Sequence, residues 1–168
     1  MANMLEIRDA QLMYKNFSGR QVGKNRAGTR NVCVVLEDED VAKQMIEDGW
    51  NVKIKEFEGG ETVYYLPVAV SWNEAYPHLN PEIWLNSNGR ARQLDEDEVS
   101  VLDRIIIQSV DLVEIRPRKW LDEDTGTFKI KAFLASIGIT QKVNKYKEMY
   151  DIDDVDGIEI VEEDYEVE

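Results

Sequence analysis

The sequence predicts a mainly β protein, a small antiparallel barrel with inserted hairpins and two short helices. Short runs rich in Val, Ile, Tyr and Phe recur along most of its length, separated by turns bearing Gly, Asn and Asp. Helical periodicity is confined to two short segments. No strand alternates with a long helix, which excludes a parallel sheet with crossover helices. At 168 residues the chain suits one domain with a real core.

Met4–Phe17 reads as a strand, irregular around Asp9-Ala10, because Leu5/Ile7 and Leu12/Tyr14 fall in different alternation phases. Ser18–Thr29 has no apolar period and is rich in Gly, Asn and basic residues, so it is a loop. Arg30–Leu36 is a strand dense in β-branched residues. Asp38 then caps a helix over Glu39–Asp48, where Val41, Ala42, Met45 and Ile46 share a face and Gly49 ends it. Strands at Asn51–Phe57 and Thr62–Trp72 flank the turn Glu58-Gly59-Gly60-Glu61.

A Pro-bearing loop through Tyr76-Pro77-His78 leads to a strand at Glu82–Asn86 and a turn at Asn88-Gly89. Asp95 and Glu98 have capping-box spacing for a second short helix bearing Val99 and Leu102. Two long strands, Ile105–Ile115 and Phe128–Thr140, close the fold around a polar turn at Asp122–Thr127. Lys142–Tyr150 reads as weakly helical. A five-stranded OB-type barrel with inserted hairpins fits this length and pattern.

Charge divides the chain in two. Acids number 34 against 20 bases, a net of −14. Residues 148–168 hold eleven of those acids and no Lys or Arg, leaving 23 acids and 20 bases in residues 1–147. The expected organisation is a folded domain over 1–147 and an acidic, disordered tail over 148–168.

Several function classes fall away. One cysteine, Cys33, excludes an internal disulfide and a Cys-rich zinc site, and its apolar setting reads as a buried, inert thiol. The single histidine, His78, cannot build a multi-His metal site. Asp154-x-Asp156-Gly157 with Glu163 has the spacing of a calcium loop, but Ile152 stands where its first ligand belongs. No phosphate-cradling loop, nucleophile elbow or metalloprotease motif appears. The carboxylates crowd helix starts and the tail, where solvated faces explain them. The expectation is a non-enzyme without metal or cofactor. No membrane-length apolar run and no signal peptide are present, which predicts a soluble cytoplasmic protein.

The informative pattern is cations interleaved with rings. Between Arg8 and Arg30 stand six bases and one acid, Asp9. Lys53 and Lys55 point away from Val52 and Ile54, while Lys129, Lys131 and Phe133 share a strand face. Cations that track phosphates and rings on which unpaired bases stack are what single-stranded nucleic acid needs. The candidate phosphate contacts are Lys15, Arg20, Lys24, Arg26, Arg30, Lys53, Lys55, Lys129 and Lys131. Tyr14, Phe17, Trp72, Tyr76, Trp120 and Phe133 are the stacking candidates, Trp120 because it follows Arg116-Pro117-Arg118-Lys119. Trp50 and Tyr64 read as core. Two rival classes fit the pattern less well. An acidic DNA-mimic inhibitor would spread its carboxylates over the folded surface, and a structural assembly barrel gives no reason for a basic loop.

The sequence resembles the single-stranded DNA-binding proteins of tailed bacteriophages. The resemblance is carried by Arg30-Asn31-Val32-Cys33-Val34-Val35, Gly49-Trp50-Asn51-Val52-Lys53, Tyr65-Leu66-Pro67-Val68-Ala69-Val70, Val110-Asp111-Leu112-Val113-Glu114-Ile115-Arg116-Pro117, Lys131-Ala132-Phe133-Leu134 and the acidic C-terminus. It implies an OB-fold core that binds single-stranded DNA independently of sequence, in phage replication or recombination, inside the host cytoplasm. It also implies that the tail contacts replication partners, although this tail ends in Glu168 rather than the terminal aromatic of some such proteins.

Overall fold

The computed structural model describes residues 4–20 and 28–142. Alternation of apolar and polar residues decides its architecture: Val32, Val34 and Leu36, then Leu66, Val68 and Val70, send every second side chain into one core. The strands are β1 (Leu5–Ala10), β2 (Leu12–Asn16), β3 (Arg30–Leu36), β4 (Lys53–Glu56), β5 (Thr62–Val70), β6 (Glu82–Ser87), β7 (Arg90–Leu94), β8 (Ile107–Asp122) and β9 (Thr127–Gln141), with α1 at Glu39–Asp48. All belong to one sheet of order β1-β8-β9-β5-β3-β2, with β4 on β5, and β6 joining β9 to β7. The path begins and ends on neighbouring segments, β1 and β2, so the sheet curls round on itself. Gln11 is the joint: its carbonyl accepts from Val35 N at 2.9 Å, and Asp9 before it has φ 51°. The phase change expected at Asp9-Ala10 is this corner.

Pairing is antiparallel except at β5–β9, which meet at Ala69 and Phe133, and β6–β9, which run parallel over Glu82–Asn86. The two strand prolines sit where the ladder has a gap. Pro67 pairs with Cys33 on one side, and on the other falls between the end of β4 at Tyr65 and the β9 pair at Ala69. Pro117 lies past Ile115, where β1 stops covering β8.

Three sequence expectations are corrected. The second helix is a five-residue 3-10 turn, Val99–Asp103, although its capping box forms: Asp95 Oδ1 accepts from Glu98 N at 3.0 Å and Glu98 Oε1 from Asp95 N at 3.1 Å. Arg90–Leu94 is a strand that the pattern concealed, because four of its five residues are exposed. The first long strand runs on from Ile115 to Asp122, making a two-stranded ribbon with β9. The expected helix at Lys142–Tyr150 and the tail at 148–168 lie outside the described residues, apart from Lys142 itself.

Helix α1 starts as expected, with Asp38 Oδ1 accepting from Asp40 N and Val41 N, and ends at Gly49 with φ 105°. A β-carbon there would stand 2.8 Å from Phe128 O, so the helix end needs glycine twice over. Cys33 is buried, and burial pushes its thiol up to about 12. It is inert at neutral pH.

Candidate nucleic-acid interface

Directly opposed residues of an antiparallel pair share a face, and the faces alternate along the ribbon. In β8–β9 the pairs Arg116–Phe133, Arg118–Lys131 and Trp120–Lys129 therefore lie together, while Pro117–Ala132, Lys119–Ile130 and Leu121–Phe128 lie on the reverse. Ala132 is buried, so at the base of the ribbon the reverse face turns toward the core and the first face turns outward, while toward the tip both faces are open to solvent, Leu121 and Phe128 included. The outward face thus carries two arginines, two lysines and two rings within three rungs. Trp120 is 47% exposed near the ribbon tip. Lys131 Nζ stands 5.3 Å from the Phe133 ring centre. Lys129 Nζ pairs with Asp122 at 3.1 Å, which holds that carboxyl below its usual range.

The face continues across the sheet. Phe133 pairs with Ala69, and Ala69 with Asn31, so Asn31, Ala69, Phe133 and Arg116 form a row over β3, β5, β9 and β8. At one end of that row Arg116 donates to Leu79 O at 3.2 Å, tying the 73–81 loop to the ribbon. At the other end the chain passes from β2 to β3. On the β4 side, Tyr14 meets Tyr65 edge-to-face at 5.7 Å, and Lys55 Nζ donates to Tyr14 Oη at 2.6 Å. Lys55 Nζ is also 5.3 Å from the Tyr14 ring centre, which places it beyond the hydroxyl rather than over the ring face. The same ammonium is 5.3 Å from the Phe57 ring.

The fold brings Lys129, Lys131, Phe133 and Trp120 together, and Tyr14 with Lys55 in a second cluster. Lys53 is exposed on β4, opposite Tyr65. Ile54 is exposed as well, because β4 is an edge beyond the curl, so alternation there does not mark a core side. Phe17 is corrected: at 0% exposure it is a core residue and cannot offer a face to a base. Lys15 is half-buried and donates to Leu102 O at 3.0 Å. Arg30 turns to Phe17 O at 3.1 Å and Glu96 at 3.2 Å and stacks at 5.3 Å on Trp72, which itself packs against the core. Tyr76 is exposed on its loop, edge-on to His78 at 6.3 Å. Arg20 closes the first described segment, and Lys24 and Arg26 lie outside the described residues.

Sequence reasoning missed Arg116, Arg118, Tyr65 and Phe57. The first two were legible as a basic run, but ending the strand at Ile115 hid the face they share. A cleft of about 440 Å³ beside Trp72 is lined by Glu82, Asp95 and Glu98 and repels phosphate. Among the described residues, no group of three His, Cys, Asp or Glu side chains converges on a metal position. Nor is any described helix long and apolar enough to cross a membrane.

A family model described as "Putative phage ssDNA-binding domain" matches residues 1–167. The chain belongs to this phage single-stranded DNA-binding domain family. No curated protein sequence matches it. Among solved structures it is similar to the single-stranded DNA-binding protein from bacteriophage Enc34, at 14% identity and a TM-score of 0.47, covering 83% of this chain and 81% of that one. A C-terminal truncation of that protein gives 12% identity and 0.47, with coverages of 84% and 87%. The Enc34 protein in complex with ssDNA gives 13% and 0.46, with coverages of 84% and 88%. The resemblance read from strand patterns and the family match agree, and in this phage family member the cations and rings stand on the outward face of β8–β9.

Proposed function

We propose that the protein binds single-stranded DNA without regard to sequence and acts in phage DNA replication or recombination in the host cytoplasm. The observation that carries the proposal is the β8–β9 rung pattern. Arg116, Arg118, Lys129 and Lys131 neutralise phosphates while Trp120 and Phe133 stack on bases. Lys53 and Lys55 with Tyr14 extend the surface, and Arg20, Lys24 and Arg26, basic residues that precede β3 in the sequence, are assigned as further phosphate contacts. Tyr76 joins from the 73–81 loop. Stacking suits every base equally, and α1, with Glu39, Asp40, Glu47 and Asp48, is no groove-reading helix.

The strand order supports reading the core as an OB-type barrel. Taking β1 and β2 as one bent strand leaves β3, β5, β8 and β9 as the other four, with β4 and β6–β7 as insertions. The role is binding without chemistry, and residues 148–168 form an acidic arm for replication or recombination partners.

Labelled oligo-dT, oligo-rU and duplex DNA, titrated at two salt concentrations, test the reading. Preference for single strands with a steep salt dependence supports it, each neutralised phosphate contributing a log–log slope of about −0.7. Equal affinity for duplex overturns it.

A further inference from the structure

We infer that Asp103 is a positioning residue for the interface: its buried carboxylate fixes where the chain leaves β2 and so where Arg20 stands beside the outward face. The inference rests on the single-stranded DNA reading above. It goes beyond it by assigning a role to a residue on the far side of the fold's sequence.

Asp103 ends the 3-10 turn Val99–Asp103, which buried Val99 and Leu102 hold rigidly in the core. It is itself only 6% exposed. Its carboxylate accepts from Phe17 N at 2.9 Å, Ser18 N at 2.8 Å and Ser18 Oγ at 2.6 Å. Two successive backbone amides are thereby aimed at one anion, a charge-assisted arrangement stronger than neutral hydrogen bonds. Lys15 Nζ, bound to Leu102 O, makes a second tie between β2 and the same turn.

The next residues inherit that placement. Asn16, also buried, brackets Arg20 from both sides: Asn16 Oδ1 accepts from Arg20 N at 3.0 Å, and Asn16 Nδ2 donates to Arg20 O at 2.8 Å. Gly28 N donates to Gly19 O at 2.7 Å and Arg30 Nε to Phe17 O at 3.1 Å, so the returning chain is fastened to the same collar. Gly19 takes φ 76°, and a β-carbon on it would stand 3.2 Å from Gly28 Cα, so a side chain there would be strained and tight against the returning chain. Asn16 pairs with Asn31, the first residue of the row that runs to Phe133 and Arg116. A backbone held in place before binding leaves the arginine it carries less freedom to lose when DNA arrives, and that difference appears as affinity.

A thermodynamic cycle separates positioning from general support of the fold. Single-stranded DNA affinity and Tm are measured for the full chain, Asp103→Asn, Arg20→Ala and the double variant. The amide keeps the size of the side chain but presents one acceptor in place of two. If Asp103 acts through Arg20, Asp103→Asn weakens binding roughly three- to tenfold alone and adds almost nothing once Arg20 is gone. An equal loss in both backgrounds, or no loss from either single substitution, overturns the inference. Should Asp103→Asn fail to fold at the assay temperature, Ser18→Ala takes its place in the same cycle, removing only the 2.6 Å bond. A starting protein with no preference for single strands overturns the functional reading and this inference together. A binding-competent protein with an additive cycle overturns the inference alone.

Discussion

The Lys131 ammonium stands 5.3 Å from the centre of the Phe133 ring, two residues along the same outward face of β9. A cation beside a ring that is still partly solvated is worth only about 0.5–1 kcal/mol. Its consequence here is geometric. Phe133 is where the row across the sheet meets the ladder along the ribbon, and Lys131 places a positive charge beside it. On the proposed reading, a base stacked on the ring would have its phosphate within reach of that charge.

Phe133→Ala is therefore expected to weaken single-stranded DNA binding by about 1–3 kcal/mol, roughly five- to 150-fold. Phe133→Tyr, which keeps the π-face, should retain most of the affinity. Fluorescence anisotropy with labelled oligo-dT reads both. Because the ring is half-buried rather than in the core, Tm should change little.

Phe17→Ala should behave in the opposite way. The ring is wholly buried, and its removal leaves a cavity costing about 3–5 kcal/mol. Thermal unfolding should show a large drop, while any protein still folded at the assay temperature binds with near-normal affinity. A selective loss of binding at unchanged Tm would contradict the core assignment.

The contrast between these two phenylalanines shows what the sequence can and cannot tell. Phe133 was legible because alternation with Ala132 and Leu134 fixes its side of the strand. Phe17 was not, because the β2 ladder shifts between Met13 and Asn16, Tyr14 takes φ 51°, and alternation counted through a bulge gives the wrong face. Arg116 and Arg118 were read as a basic run but not as part of a face. Their orientation depends on the partner strand, which carries β8 past Pro117 to Asp122. The parallel contact at Ala69–Phe133 joins residues far apart in sequence, and no local pattern encodes it.

On the proposed reading, Asp122 competes with DNA for Lys129. The 3.1 Å bridge lies at the surface, where it adds little to stability and screens one interface cation. Asp122→Asn should release Lys129 and tighten binding about two- to fivefold at low salt, with the gain shrinking as salt rises. Acid should act in the same direction on this pair. The folded carboxyl is held below its ordinary range, so its small stabilising contribution is present at neutral pH and is lost as pH falls through that lowered value. Weaker binding by Asp122→Asn would show that the carboxylate orients Lys129 rather than occupying it.

Gln141 presents a different conflict. It is 1% exposed at the end of β9, and neither its amide nitrogen nor its oxygen has a hydrogen-bond partner among the described residues. A buried unsatisfied amide costs about 1–3 kcal/mol. Gln141→Met keeps the shape and removes the polarity, so Tm should rise by a few degrees with DNA affinity unchanged. A fall in Tm would mean that the amide is satisfied by a partner which the substitution removes.

The acidic tail is expected to compete with DNA for the cationic face. Residues 148–168 carry eleven carboxylates and no base, on a chain whose remaining residues are nearly balanced in charge. A segment tethered to the domain has a high effective concentration at a positive surface, and DNA must displace it. Displacement would in turn make the tail available to a partner. Deleting residues 151–168 should therefore tighten single-stranded DNA binding, most clearly at low salt, where exposed charges are least screened. The same deletion should leave Tm almost unchanged if the arm adds nothing to the core. Anisotropy at two salt concentrations distinguishes the outcomes. Unchanged affinity at low salt would reduce the tail to a solubilising segment, and weakened affinity would make it part of the binding surface itself.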